Sequence, residues 1–226
     1  PEMGVLAAYG KIIPQELIDV FPKGIIVVHP SLLPKYRGAT PIQSVLLAGE
    51  KETGATLITM DDKVDHGDII ADCRLRIADY DTYETLVKKL AELSADLLIE
   101  TLPQYYARQI KTQKQDHAQA TYTKKFTTED GFVDLDKESP EVIWRKIRAL
   151  NPEPGVWTLQ PGSEQAPSAS SRQRRGSPRA AGQAIKKGRR MKLLTADLVD
   201  NKLVLKKIQF EGRKPKRNEG NGKTVP

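Results

Sequence analysis

The sequence of 226 residues is poor in the residue types that build redox, zinc and membrane sites. A single cysteine, Cys73, can form no disulfide within the chain and no cysteine-rich zinc site. This usage favours a reducing compartment, and we expect a cytoplasmic protein. No apolar run approaches the ~20 residues of a membrane-spanning helix, so we expect no membrane partner. Because G-x-G-x-x-G and Walker sequences are both missing, nucleotide-driven chemistry has no support.

Basic residues are concentrated in the second part of the chain. Residues 1–150 carry 19 Lys/Arg and 23 Asp/Glu, a net charge of −4, whereas residues 151–226 carry 17 and 6, a net charge of +11. A basic region beside a near-neutral one predicts a polyanionic partner, with nucleic acid favoured over a membrane surface. The alternative is a solvated tail that has no partner.

Strand and helix patterns alternate over the first 107 residues. Four apolar or alternating runs predict strands at 5–8, 25–28, 54–62 and 68–78. Between and after them, helical spacing predicts helices at 14–21, 41–50 and 82–102, the last ended by Pro103. This alternation is typical of an α/β fold with a parallel sheet.

The remainder predicts a smaller, strand-containing domain. Residues 108–129 are polar and unpatterned, which is typical of a linker. Ser139 and Pro140 predict the start of a helix, and Asp200-Asn201 predicts the turn of a β-hairpin. Residues 160–190 are a low-complexity insertion with few large apolar side chains. We therefore divide the chain into a first domain at 1–107, a linker at 108–129 and a basic domain at 130–226.

His29 and Asp65 are the candidate catalytic residues. His29 directly follows the most apolar predicted strand, and ligands of open parallel sheets bind beyond the carboxyl ends of the strands. Asp65 lies a few residues beyond the strand that ends near Met60, so a parallel sheet would place its loop on the same rim. A carboxylate beside an imidazole can do general acid–base work. A buried structural histidine and a solvated acidic turn are the alternatives. Three histidines without an i, i+4 pair argue against a metal site.

Several motifs carry a resemblance to a known family. "AAYGKIIP" at 7–14, "HPSLLPKYRG" at 29–38 and "VDHGDII" at 64–70 occur in the order and spacing of formyltransferases that use 10-formyltetrahydrofolate. "RALNPEPGVWT" at 148–158, "LVLKKIQFEGRKP" at 203–215 and the basic second domain are similar to the methionyl-tRNA formyltransferases. The resemblance covers about 1–158 and 191–216 and leaves the insertion unexplained.

The resemblance implies a fold, a reaction and a set of binding residues. The fold would be a Rossmann-like domain followed by a small β-barrel that resembles an OB fold. The reaction would move a formyl group from 10-formyltetrahydrofolate to the amino group of methionyl initiator tRNA, in translation initiation, with no metal and with His29 and Asp65 as catalytic residues. We expect a monomer whose basic domain contacts the tRNA. Two loops would bind the folate, and their residues are Ser31, Leu32, Leu33 and Pro34 in one and Tyr9, Gly10, Lys11, Ile12 and Ile13 in the other.

The sequence departs from the family pattern in two places. The family carries Asn two residues before the histidine, where it donates a hydrogen bond to the formyl oxygen, and this chain has Val27 there. Losing one such donor typically costs about 10²–10³ in rate, so we expect slow or absent transfer. The family also has a βαβ-type segment before "AAYG". From its absence here we expect an N-terminally truncated sheet and a fragment of a longer protein.

Two other functions stay open at this point. A formyltransferase acting on another amine, such as a nucleotide sugar or glycinamide ribonucleotide, would share the catalytic residues but have less use for the basic domain. A relative that binds tRNA and has lost the reaction would be consistent with Val27.

Overall fold

The computed structural model describes residues 1–11, 13–160, 189–217 and 224–225. Ile12 and nearly all of the predicted insertion therefore lie outside the described residues. The first sheet has four strands in the order β1-β2-β3-β4. Its strands are β1 (Gly4–Ala7), β2 (Ile25–His29), β3 (Glu52–Thr59) and β4 (Ile69–Arg76), and its helices are α1 (Gln15–Ile18), α2 (Pro41–Ala48) and α3 (Tyr83–Tyr106).

The predicted α/β fold is confirmed, but its sheet is mixed rather than parallel throughout. Only β1 and β2 pair in parallel, with Ala7 opposite Val28. β3 runs antiparallel to β2, and β4 runs antiparallel to β3. Two features of the chain cause this. The chain that leaves the sheet at the end of β2 returns to it at the same end of the strands. The loop between β3 and β4 is too short for a parallel crossover, which needs a dozen or more residues.

Helix α3 covers one face of this sheet. The predicted leucine stripe is confirmed, since Leu86 and Leu90 are fully buried and Leu97 packs against strand residues Ile26 and Leu57. Thr82 caps the first turn by accepting a hydrogen bond from the Thr85 backbone.

The prediction that Pro103 ends this helix is wrong. α3 continues past Pro103 to Tyr106. Proline's fixed φ is helical, although it removes one N–H donor and its ring crowds the carbonyl four residues earlier. That carbonyl belongs to Ile99, a residue that is 71% exposed.

The second sheet is antiparallel and packs against a helix. The predicted helix after Ser139 is confirmed, and Ser139 caps it. The hairpin at Asp200-Asn201 is also confirmed, with both residues at positive φ, as a two-residue type I′ turn requires. The elements are α4 (Pro140–Leu150), β5 (Trp157–Leu159), β6 (Arg190–Val199), β7 (Lys202–Phe210), β8 (Lys216–Arg217) and β9 (Thr224–Val225).

The predicted small β domain is confirmed as this sheet, but its strands do not close into a barrel within the described residues. The path runs β5-β6-β7-β8, with β9 against β7, and no described pairing joins the last strand to the first. The terminal strands are too short to close a barrel, with three residues in β5 and two in β8. One hydrophobic cluster continues from α2 and α3 through α4 into this sheet.

No described helix is both long and apolar enough to cross a membrane.

Candidate active site

His29 lies at the last position of β2 and is almost enclosed, at 4% exposure. Its Nε2 is 2.9 Å from the carbonyl oxygen of Tyr36. Because a carbonyl can only accept, Nε2 carries a proton and donates it to this bond. Burial lowers the pKa of His29 below the ordinary histidine value, while the Asp65 charge opposes that shift. The imidazole is therefore neutral at pH 7, and Nδ1 is the nitrogen left to exchange a proton.

Asp65 supplies the carboxylate that faces this nitrogen. Its Oδ2 lies 3.5 Å from His29 Nδ1 and accepts a 2.7 Å hydrogen bond from the backbone N–H of Gly38. The convergence predicted from the sequence is therefore present. With Nδ1 unprotonated, these two atoms are both hydrogen-bond acceptors, so a hydrogen bond forms between them only when the imidazole gains a second proton.

The predicted reason for that convergence is wrong. Because β3 is antiparallel to β2, its last residue, Thr59, pairs with Ile26 near the start of β2, away from His29. The loop at 60–68 must therefore return along the sheet before Asp65 meets His29. Thr59 and Asp68 close the base of the loop by hydrogen bonds in both directions. Asp65 itself adopts a left-handed φ of 48°, and a side chain at Gly67 would collide with the Thr59 carbonyl.

The predicted folate loop after His29 is divided between supporting and accessible residues. Ser31 and Leu33 are buried. Ser31 Oγ donates to the Lys35 carbonyl. Thr56 Oγ1 holds Ser31 and Leu33 together, because it donates to the Ser31 carbonyl and accepts from the Leu33 N–H. Leu32 and Pro34 are half-buried, so these two side chains are the accessible apolar surface of the loop.

The second predicted folate loop begins at the same end of the strands as His29. β1 and β2 are parallel and in register, so the loop after Ala7 leaves the sheet beside His29. Tyr9, Gly10 and Lys11 are exposed and Ile13 is half-buried. Among the described residues, this loop makes no hydrogen bond or ion pair with His29 or Asp65.

Sequence reasoning missed the part that residues 108–129 take in this site. This predicted linker lies against the loop that follows β2, where Arg37 N–H donates to the Thr121 carbonyl and Thr123 N–H donates to the Arg37 carbonyl. Arg37 is a charged residue buried in this contact, at 1% exposure. Its guanidinium donates to the Gln115 amide oxygen. Polar residues without apolar spacing gave no sequence signal of this packing.

The other two histidines contact each other and are not part of the His29–Asp65 pair. His66 and His117 stack with ring centroids 4.0 Å apart, and His66 Nδ1 bonds Asp61 at 2.6 Å. Within the described ranges, no three His, Cys, Asp or Glu side chains are grouped in a way that could hold a metal ion.

Comparison with known proteins identifies the family. Residues 1–102 match the family described as Formyl transferase, and residues 125–221 match Formyl transferase, C-terminal domain. A methionyl-tRNA formyltransferase of Koribacter versatilis is 37% identical over 228 aligned residues, which span 98% of this chain and 70% of the relative. The chain belongs to the methionyl-tRNA formyltransferase family.

Other members of this family match over a shorter part. The methionyl-tRNA formyltransferase of Kosmotoga olearia is 46% identical over 158 residues, covering 70% of this chain and 50% of the relative. The chain thus spans about half the length of this and several other curated relatives. The solved methionyl-tRNA formyltransferase of Clostridium thermocellum has a TM-score of 0.63 at 20% identity, covering 93% of this chain and 78% of that one, which shows a shared fold.

Position 27, where the resemblance predicts asparagine, lies on the same face of β2 as His29 because side chains alternate along a strand. Val27 is flanked across the sheet by Leu6 on β1 and Ile58 on β3. This row of three apolar side chains contains no hydrogen-bond donor to replace the missing amide.

Proposed function

We propose that the chain transfers a formyl group from 10-formyltetrahydrofolate to the amino group of methionyl initiator tRNA. The observation that carries the proposal is the approach of His29 Nδ1 to Asp65 Oδ2, 3.5 Å, at the sheet edge that also bears both predicted folate loops. Membership of the methionyl-tRNA formyltransferase family supports the choice of substrate. We further propose that the chain acts in the cytoplasm as a monomer.

The reaction needs one proton to change place. The methionine amine attacks the formyl carbon, a C–N bond forms, and the bond from that carbon to folate N10 breaks. The proton lost by the amine ends on N10. Neutral His29 has an unprotonated Nδ1 beside a carboxylate, so the pair can accept the amine proton and return it to the leaving nitrogen. Asp65 stabilises the imidazolium between those two events.

Two described residues offer apolar contact to a folate at this end of the strands. The aminobenzoyl ring of a folate is flat with apolar faces, and Leu32 and Pro34 present half-buried apolar surface shortly after His29. Ser31 and Leu33 would act indirectly, by holding the loop. The exposed loop at Tyr9 to Lys11 would close over the bound folate from β1.

A direct assay tests the proposal. The chain is incubated with 10-formyltetrahydrofolate and methionyl initiator tRNA, and N-formylmethionine is measured after deacylation. We expect formyl transfer that is slow because Val27 offers no donor to the formyl oxygen, and we expect His29→Asn to reduce kcat by a further factor of about 10²–10⁴. The control variant Gln119→Met changes an exposed side chain whose amide bonds only Asp116, and it should match the parent. Transfer to a nucleotide sugar or glycinamide ribonucleotide in preference to the tRNA would replace the proposed substrate.

A second function is favoured by Val27, since the row around it lacks a donor for the formyl oxygen. Under this alternative the chain binds tRNA and has lost the transfer reaction. A stable folate analogue separates the two, because a ligand that binds only the folded state raises the Tm. A rise in Tm supports the enzyme, whereas tRNA binding without any response to the analogue supports the binding protein.

A further inference from the structure

The side chain of Gln115 uses its whole hydrogen-bonding capacity beneath the Asp65 loop. Its Nε2 donates to the Asp65 carbonyl at 3.0 Å and to the Gly67 carbonyl at 2.7 Å. Its Oε1 accepts from Arg37 Nη2 at 2.6 Å and from Arg37 Nε at 3.2 Å. An amide has two donor hydrogens and two acceptor lone pairs, so every one is engaged.

Arg37 holds that amide in a fixed orientation. The residue is 1% exposed and Gln115 is 5% exposed, so water does not compete with their bonds. The remaining guanidinium nitrogen, Nη1, donates to the Tyr122 hydroxyl at 3.2 Å, and Nη2 also lies 2.9 Å from His117 Nδ1. Because a guanidinium can only donate, it forces the carbonyl oxygen of Gln115 toward itself and the NH₂ toward the Asp65 loop.

Two consecutive residues, Arg37 and Gly38, fix both the backbone and the side chain of Asp65. Gly38, the residue after Arg37, donates its N–H to the Asp65 carboxylate, while Arg37 acts through Gln115 on the Asp65 backbone. The loop needs such support because Asp65 has a left-handed backbone, which costs free energy for a residue other than glycine.

We infer that Gln115, oriented by the buried Arg37, is a positioning residue that holds the Asp65 carboxylate in line with His29. Gln115 touches neither reacting atom. It comes from the segment that leads to the basic domain, so that segment is part of the catalytic architecture as well as a connection.

Two substitutions separate positioning from a merely structural role. Gln115→Glu keeps an acceptor for Arg37 and removes the two N–H donors to the Asp65 loop. Gln115→Met introduces a side chain of similar length that has neither the acceptor for Arg37 nor the N–H donors to the Asp65 loop. If Gln115 served only to satisfy Arg37, the glutamate would replace it and only the methionine variant would be impaired. If it positions Asp65, both variants are impaired.

The kinetic readout depends on the proposed function. We expect both variants to lower kcat for formyl transfer by about 10-fold to 100-fold, because a misplacement of 1 Å at a reacting group can cost 10²-fold. The KM for each substrate should stay within about twofold. Gln119→Met, in the same segment, should leave both constants unchanged. Parental kcat in a folded Gln115→Glu would overturn the inference.

A second readout is independent of formyl transfer. The pKa of His29, followed by NMR of its ring in the free protein, should fall in Gln115→Met relative to the parent, since the Asp65 charge raises it more than the hydrogen bond to the Tyr36 carbonyl does. The substitution is neutral and adds no charge of its own. An unchanged His29 titration would overturn the inference even if the chain showed no transferase activity. A lower pKa in a chain without activity would retain the inference and count against the proposed function alone.

Discussion

At the scale of single residues, the surroundings of His29 set both the charge of its imidazole and the nitrogen that carries the proton. Burial favours a neutral His29, and its bond to the Tyr36 carbonyl fixes the remaining proton on Nε2. The unprotonated nitrogen is thereby turned toward Asp65. Sequence position predicted that His29 would be at a strand end and that Asp65 would be its partner. It could not predict which nitrogen faces the carboxylate, because that depends on a carbonyl seven residues further along the chain.

Restoring the amide at position 27 tests whether the missing donor limits the rate. We expect Val27→Asn to increase kcat by about 10²–10³, the usual value of one hydrogen bond to a developing oxyanion. The control Val27→Thr has a hydroxyl too short to reach the same point and should gain far less. No increase in Val27→Asn, measured as single-turnover formyl transfer, would show that another group already polarises the formyl oxygen.

The pH dependence follows from the direction of the His29 shift. Transfer requires both a neutral methionine amine and a neutral imidazole. The amine, with an ordinary α-amino pKa of about 7.7–8.0, causes a first fall in rate as the pH drops, and burial lowers the pKa of His29 below 6.5, so protonation of His29 should cause a second fall only at lower pH. Asp65→Asn removes a charge that raises the pKa of His29, so this second fall should move to still lower pH while the first stays in place. A pH–rate profile of both proteins measures this, and a second fall that does not move in Asp65→Asn would contradict it.

At the scale of elements, the sequence was informative where apolar spacing is regular. The leucine stripe predicted α3, and the Asp200-Asn201 turn predicted the β6–β7 hairpin. Strand direction was predictable only in part. The short loop between β3 and β4 excludes a parallel crossover, whereas nothing in the apolar composition of β2 and β3 shows that they pair antiparallel. The packing of residues 108–129 also left no periodic signal, since backbone and polar side chains make most of its contacts.

A pair of substitutions in α3 checks the packing of that helix. Leu86 is fully buried, so Leu86→Ala should lower the free energy of unfolding by about 2–5 kcal/mol. Ile99 lies on the exposed face of the same helix, and Ile99→Ala should change it by no more than about 0.5 kcal/mol. Denaturant unfolding followed by circular dichroism gives both values. Equal effects at the two positions would mean that the packing described for α3 is incorrect.

At the scale of the whole molecule, charge and chemistry occupy different regions. The histidine–carboxylate pair lies in the first sheet, while the excess of 11 positive charges lies in residues 151–226. This division was readable from the sequence alone. What the sequence did not indicate is that one hydrophobic cluster joins α2, α3 and α4 to the second sheet.

The proposed tRNA partner predicts a salt dependence that can be assigned to individual lysines. Binding of initiator tRNA should weaken steeply as salt rises, because phosphate contacts release counterions. Lys207 is an exposed residue of β7, and Lys207→Ala should weaken binding and reduce the slope of log K against log salt by about 1. Lys51→Ala removes an exposed lysine of the first domain, paired with Asp79, and serves as the control. Identical slopes for all three proteins would exclude Lys207 from the tRNA interface.

The most direct measurement of the central claim is a double-mutant cycle on formyl transfer, using His29→Asn, Asp65→Asn and their combination in the Val27→Asn background. If the imidazole and the carboxylate act as one proton-transfer unit, either single change removes most of the rate, and the double variant is about as slow as the slower single variant. Losses that multiply in the double variant, or a single variant that transfers formyl at the parental rate, would contradict the account.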